Sequence, residues 1–196
     1  DLTALADTLL AGGITGSINI QTHTGNLTLT QGHTLQANAI TLVADDPTQN
    51  ADSTKSQGQI VIAGTVNADG YAGNTADGTG EAGGQVGLFG YSDVKLTSTG
   101  RIYARSTHGD KRGGDVTLGL NWFADGTIDL QAGSVIDVSG GTAGGMSGGT
   151  VTLRAPLDGK NNVQLGSLDA TITGARSVVV NGFISIDTSK QGGAQG

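Results

Sequence analysis

Three times the chain repeats one block, a double glycine followed by an alternating apolar strand. The copies are Gly83-Gly84-Gln85-Val86-Gly87-Leu88, Gly113-Gly114-Asp115-Val116-Thr117-Leu118 and Gly148-Gly149-Thr150-Val151-Thr152-Leu153. Their second glycines stand 30 and then 35 residues apart. Strands that recur at such a period, with no helical pattern between them, are the mark of one supersecondary unit stacked many times. A single unit of this kind cannot bury its own apolar face, so the stack is what makes a core.

Between the double glycines the spacing is tighter still. Val94 and Leu96 lie 34 positions before Ile128 and Leu130, and Ile102 and Ala104 lie 34 before Ile136 and Val138. Val66 and Ala68 begin the same strand one unit earlier. Each unit from Gln57 onward therefore reads as three short strands and one long loop, which is one rung of a three-faced parallel β-helix. In the first third, Ile18/Ile20, Leu27/Leu29, Leu35/Ala37 and Ile40/Leu42 are apolar pairs at period two, punctuated by Gly16, Gly25 and Gly32. Residues 1–10 are ambiguous between strands and a short amphipathic helix, because Leu2, Leu5, Ala6 and Leu9 fit both; strands are preferred by analogy with the apolar pairs from Ile18 to Leu42. The expectation is an all-β solenoid, one domain over 1–196, with six to eight rungs and long glycine-rich corner loops over 45–57, 69–83 and 106–113.

Composition bears on the surface and on partners. Glycine is the outlier, 35 of 196 residues, but it shows no Gly-X-Y period and only two prolines accompany it, so neither collagen nor a disordered tract fits. Ten basic against seventeen acidic residues give a net charge of −7, and no basic stripe offsets it, so nucleic acid is not an expected partner. Cysteine is absent, so stability must come from the sheet and its core rather than from disulfides. No apolar run reaches the roughly 20 residues of a membrane span, and membrane insertion is not expected. The opening at Asp1 and the closing run 191–196 read as inter-strand sequence, and so as a segment of a longer protein. Exposed rung ends then carry an expectation of self-association.

Several stretches are similar to the filamentous-haemagglutinin-like large exoproteins and adhesins of Gram-negative bacteria, exported by two-partner secretion. The resemblance lies in Gly133-Ser134-Val135-Ile136-Asp137-Val138-Ser139-Gly140-Gly141 and in Gly148-Gly149-Thr150-Val151-Thr152-Leu153-Arg154-Ala155-Pro156. It continues through Gly166-Ser167 and Ile172-Thr173-Gly174-Ala175-Arg176-Ser177-Val178-Val179-Val180. The resemblance implies a right-handed parallel β-helix, extracellular or on the outer cell surface. It also implies a part in adhesion, aggregation or biofilm, or a role as a stalk.

Chemistry-bearing residues are few. His23, His33 and His108 lie in turns or loops without metal-ligand spacing. Asp69-Gly70, Asp77-Gly78 and Asp125-Gly126 read as turn dipeptides, and the nonapeptide of calcium solenoids does not recur; no cofactor is expected, incidental calcium apart. Asp129 and Asp137 have outward parity and raise the alternative of a polysaccharide-active β-helix enzyme, lyase or hydrolase, but no aromatic or basic cluster accompanies them. The aromatics carry the better expectation. Asn121, Trp122 and Phe123 fall in a corner loop between two strands, Tyr71 in a glycine-rich loop, and Phe89 and Tyr91 in a short connection. Exposed aromatic faces stack on sugars and anchor protein contacts, so Asn121, Trp122, Phe123 and Tyr71 are the candidate residues for a host or bacterial surface glycan or protein. The competing account is that Trp122 and Phe123 fold back over a hydrophobic corner.

Overall fold

The computed structural model describes residues 1–45, 57–70, 81–106, 109–121, 126–141 and 147–184. A helix, α1 (Thr3–Ala11), precedes strands that come in threes. The first turn is β1 (Ser17–Thr22), β2 (Leu27–Leu29) and β3 (Thr34–Gln36); the second is β4 (Ala39–Ala44), β5 (Gln59–Ile62) and β6 (Thr65–Asn67). The third is β7 (Gln85–Gly90), β8 (Asp93–Leu96) and β9 (Arg101–Tyr103); the fourth is β10 (Asp115–Leu120), β11 (Ile128–Leu130) and β12 (Val135–Asp137). The fifth is β13 (Thr150–Pro156), β14 (Leu165–Leu168) and β15 (Thr171–Thr173), and β16 (Ser177–Phe183) starts a sixth. Against an expectation of six to eight rungs, the described residues hold five complete rungs and that first strand.

Every strand pairs in parallel with the one three places on, which makes three sheets. Sheet A runs β1-β4-β7-β10-β13-β16, sheet B β2-β5-β8-β11-β14, and sheet C β3-β6-β9-β12-β15. The registers expected from spacing hold: Val94 faces Ile128, Ile102 faces Ile136, Val66 faces Ile102, and Val86, Val116 and Val151 share one row. Successive inward side chains therefore form aliphatic columns. On sheet A these are Ile18-Ile40-Val86-Val116-Val151 and Ile20-Leu42-Leu88-Leu118-Leu153. All but Ile18 and Ile20 at the first rung are at most 2% exposed, and one continuous core joins all three sheets. Parallel strands buried on one face and stacked about 4.8 Å apart gain both ladder hydrogen bonds and apolar burial at each step. Among the described residues no buried side-chain polar atom lacks a partner. Ser134, for example, is fully buried and donates to the Gln131 carbonyl at 2.6 Å.

Two glycine uses set the corners. Between sheets B and C the chain turns at Gly32 and Gly133, with φ of 88° and 89°, the left-handed region that a side chain would strain. The double glycines between sheets C and A serve differently: none has positive φ. A Cβ on Gly84, Gly114 or Gly149 would run into the backbone carbonyl of Asn38, Gly84 or Gly114 of the rung before. Their backbone N–H groups donate to Ala68, Ala104 and Val138 at 2.7, 2.7 and 2.9 Å, which ties each rung's last strand to the next rung's first.

The expectation of strands over residues 1–10 is corrected: the segment is α1. Leu2, Ala6 and Leu9 recur at helical spacing and face the mouth of the barrel, and Leu2 and Ala6 are buried there. The helix packs against β2 and β3 and is fastened by Leu2 N–H to the Thr28 carbonyl (2.9 Å) and by the Asp7 carboxylate to His33 Nδ1 (2.8 Å). A strand there would have paired with the edge of the stack and left the core open to water. The helix covers it instead.

Candidate functional site

The expected site begins at the end of β10. Asn121 N–H donates to the Gly90 carbonyl of the preceding rung at 2.8 Å, which continues the sheet A ladder one residue past the strand. Five residues later Gly126 lies so close to Ser92 that a Cβ there would overlap the Ser92 carbonyl. The segment holding Trp122 and Phe123 is thus anchored at both ends on the corner between sheets A and B; Trp122 and Phe123 themselves lie outside the described residues. Phe89 and Tyr91, expected in one short connection, separate: Phe89 is in β7, and only Tyr91 is in the turn.

Around Asn121 a polar cluster spans several rungs. Asp45, just past β4, accepts from Asn121 Nδ2 at 2.9 Å through Oδ1 and from Gln21 Nε2 at 2.7 Å through Oδ2. His23, highly exposed, stands 3.8 Å from the same carboxylate. Parallel register makes this convergence: Gln21 is one residue short of the end of β1, Asp45 is just past β4, and Asn121 is just past β10. Tyr91, between them in height, is pinned by its backbone N–H to the Ala44 and Gly58 carbonyls, both at 2.8 Å. Amides, a carboxylate and an imidazole on one corner can donate to and accept from hydroxyl groups. Sequence reasoning had no way to include Gln21, His23 or Asp45, because only the register brings them beside a residue up to 100 positions away.

Tyr71 lies outside the described residues, which for that stretch end at Gly70, past β6 at the corner between sheets C and A. At that corner Arg105 donates to Asp69 Oδ2 from Nε at 3.0 Å and from Nη2 at 2.5 Å, and its guanidinium lies 4.3 Å from the Tyr103 ring centre. The hydrogen bond that Arg105 donates to Asp69 holds the Arg105 pKa above its ordinary value, and Asp137 adds a weaker push. Asp69 is thus an ion-pair partner. Among the described residues no three His, Cys, Asp or Glu side chains converge as a metal site would need; Asp77, Asp125 and His108 lie outside them.

The two outward carboxylates of the enzyme alternative lie on different sheets, Asp129 in β11 and Asp137 in β12. Asp129 sits 3.5 Å from Lys95 Nζ, and Asp137 accepts from the Ser139 hydroxyl and backbone N–H. Near the last rung, Asp158 Oδ1 accepts the backbone N–H groups of Asn162 (2.8 Å) and Lys160 (2.7 Å), and Asn162 Nδ2 reaches Oδ2 at 3.1 Å. Those bonds, Asn162 first, hold its pKa below the ordinary 3.8. A depressed carboxylate stabilises the fold above its unfolded pKa and loses that contribution as pH falls through the folded one. The Asp158 NMR titration midpoint is expected below 3.8, rising toward it when Asn162→Ala removes the side-chain donor.

Sheet A carries one feature that sequence reasoning missed. Phe89 points outward, and its ring lies between Gly87 and Gly119, where a Cβ would crowd it to 2.8 and 2.9 Å. Along the same outer face Arg154 stacks on Phe183, 4.3 Å from the ring centre, and donates to the Leu120 carbonyl at 3.2 Å. Pairing Gly87-Leu88-Phe89 with Thr117-Leu118-Gly119 by the repeat would have found the Phe89–Gly119 contact. No helix among the described residues is long and apolar enough to cross a membrane. No family model, curated protein or solved structure matches the chain.

Proposed function

We propose that the chain is a non-catalytic segment of a secreted or surface-attached bacterial exoprotein of the filamentous-haemagglutinin-like kind. In this reading it is a right-handed β-helix that acts as a stiff spacer and holds corner loops toward a glycan or protein on a host or bacterial surface. The observation that carries the reading is the anchoring of the 121–126 corner on an in-register stack, Asn121 bonded to Gly90 and Gly126 seated on Ser92. Flanking positions held on a rigid ladder fix where a corner is presented, and such preorganised anchors lower the cost of binding. The residues of the family resemblance fall on regular turn and strand: Gly133 makes a left-handed turn, Val135–Asp137 is β12, and Thr150–Pro156 is β13. Engagement of Asp69, Asp129 and Asp137 by Arg105, Lys95 and Ser139 favours a scaffold over a carbohydrate-cleaving pair.

The test is a glycan array and a bacterial or epithelial cell-binding assay, with wild type beside Trp122→Ala. The adhesive reading expects binding that the variant reduces about tenfold or more, as the loss of one stacking aromatic does. Absence of binding to glycans and cells alike would leave the segment as a spacer alone and remove the ligand role from this corner.

A further inference from the structure

Parallel register sets the outward residues of sheet A in rows. One row runs Val43-Phe89-Gly119-Arg154-Asn181, and the row beside it Thr41-Gly87-Thr117-Thr152-Val179. The Phe89 ring reaches across the diagonal between them. Its Cε2 edge lies 2.8 Å from the Cβ position of Gly87, and its Cδ1 edge 2.9 Å from that of Gly119. Both edges come so low only because glycines stand there, so the ring lies along the sheet instead of standing up from it. It remains partly exposed.

Two features flank the ring. Thr41, Thr117 and Thr152 are outward and partly exposed, and among the described residues their hydroxyls make no hydrogen bond to protein. Arg154 stands two strands from Phe89, about 10 Å at the usual strand spacing. Its Cβ lies 3.9 Å from the same Gly119 position that the ring crowds. The Arg154 guanidinium rests on the Phe183 ring and gives Nη1 to the Leu120 carbonyl. Among the described residues its Nε and Nη2 have no acceptor, and no carboxylate pairs with it. The acid on this face, Asp115, is already held by Arg112 at 2.6 Å.

We propose that this strip binds a uronate-bearing polysaccharide, one sugar ring lying on Phe89, its hydroxyls toward the threonine row and its carboxylate on Arg154. Each part of the ligand answers a part of the face. The flat C–H side of a pyranose packs on an aromatic ring. Sugar hydroxyls donate to and accept from threonine hydroxyls. The planar fork of a guanidinium matches a carboxylate, which is planar too. Charge chooses among anions. A single unpaired arginine on a chain of net charge −7 complements isolated carboxylates, whereas a densely sulfated chain needs a basic stripe that this sequence lacks. The strip is a different site from the 121–126 corner, and it goes beyond the spacer reading without depending on Trp122.

The test is isothermal titration calorimetry of the 196-residue chain with tetrasaccharides of galacturonate, glucuronate and mannuronate. Their methyl esters, which keep the ring and lose the charge, run beside them. At least one uronate is expected to bind, and its ester about tenfold or more weakly. Arg154→Gln and Phe89→Ala are each expected to weaken binding about tenfold or more, with an unchanged far-ultraviolet circular dichroism spectrum. Arg154→Lys keeps the charge but not the fork and is expected to restore only part of the affinity. Lys95→Gln, which removes a positive charge from the outer face of sheet B, is expected to bind as wild type does. Failure of all three uronates to bind, equal binding of the esters, full binding by Arg154→Gln or Phe89→Ala, an equal loss in Lys95→Gln, or a preference for dextran sulfate or poly-glutamate would each overturn the proposal. Neutral-glycan binding that depends on Trp122, with no uronate binding, would remove this site and leave the corner reading in place.

Discussion

Val116→Asp abolishes the native fold. Val116 is fully buried in the middle of its column, with Val86 below and Val151 above in register. A carboxylate placed there has no donor to pair with, because its neighbours on every side are aliphatic columns of the three sheets. An uncompensated buried charge belongs to the small class of substitutions that cost more than about 4 kcal/mol, a large fraction of the stability of a typical domain. The damage also spreads, because displacing β10 uncouples β7 from β13. The measurement is urea unfolding followed by circular dichroism, with Thr117→Asp as its companion. Thr117 is the adjacent residue with its side chain outside, so the same charge one position along should shift stability by no more than about 0.5 kcal/mol. A similar loss in both variants would mean that the inside–outside assignment of β10 is wrong.

Gly114→Ala has the second largest expected effect, and its sign is the informative part. In an ordinary extended segment, adding a methyl group to glycine stabilises by about 0.4–1 kcal/mol, because it restricts the unfolded chain. Gly114 has no positive φ to oppose that gain. The Cβ would nevertheless overlap the Gly84 carbonyl and touch the Gly83 backbone, and Gly149 is stacked on Gly114 from the other side. Backbone on both sides cannot rotate away as a flexible side chain would. The expected result is destabilisation of about 3 kcal/mol, seen as a melting temperature lower by roughly 10 °C in a chain of this size. Gly159→Ala is the matched control, since nothing lies within 4 Å of its Cβ direction and its φ is ordinary. Equal behaviour of the two would remove close stacking as the reason for the double glycines.

Those glycines show where the sequence was legible and where it was not. Alternation in Val94/Leu96, Ile128/Leu130 and Ile136/Val138 reports burial directly, because a strand can hide only every second side chain, and a constant offset of 34 reports which residues stack. Turn chemistry was readable too, although positive φ and close approach look alike as letters: Gly133 is the first kind and Gly114 the second. Helix α1 was hidden because its Leu2-Ala6-Leu9 spacing is compatible with two local structures, and only its place at the end of the stack decides between them. The surroundings of the candidate site were hidden by the same missing third dimension. Of Asn121, Trp122, Phe123 and Tyr71, grouped by chemistry, Asn121 alone lies among the described residues. Gln21 and Asp45, which bond near or to Asn121, are remote in sequence and carry no motif.

The unequal ends of the stack give the molecule a direction. Each rung touches its neighbours alone, so the only ready-made surface on which an incoming turn of chain can order itself is the rung already laid down. Ordering can therefore begin at any rung and spread to its neighbours like layers on a crystal seed, while α1 closes the first rung. Mechanical load on the last residues would act from the other end. A pull on the last residues peels β16 before β13, so that force is spent in small, recoverable steps rather than in one rupture of the whole body.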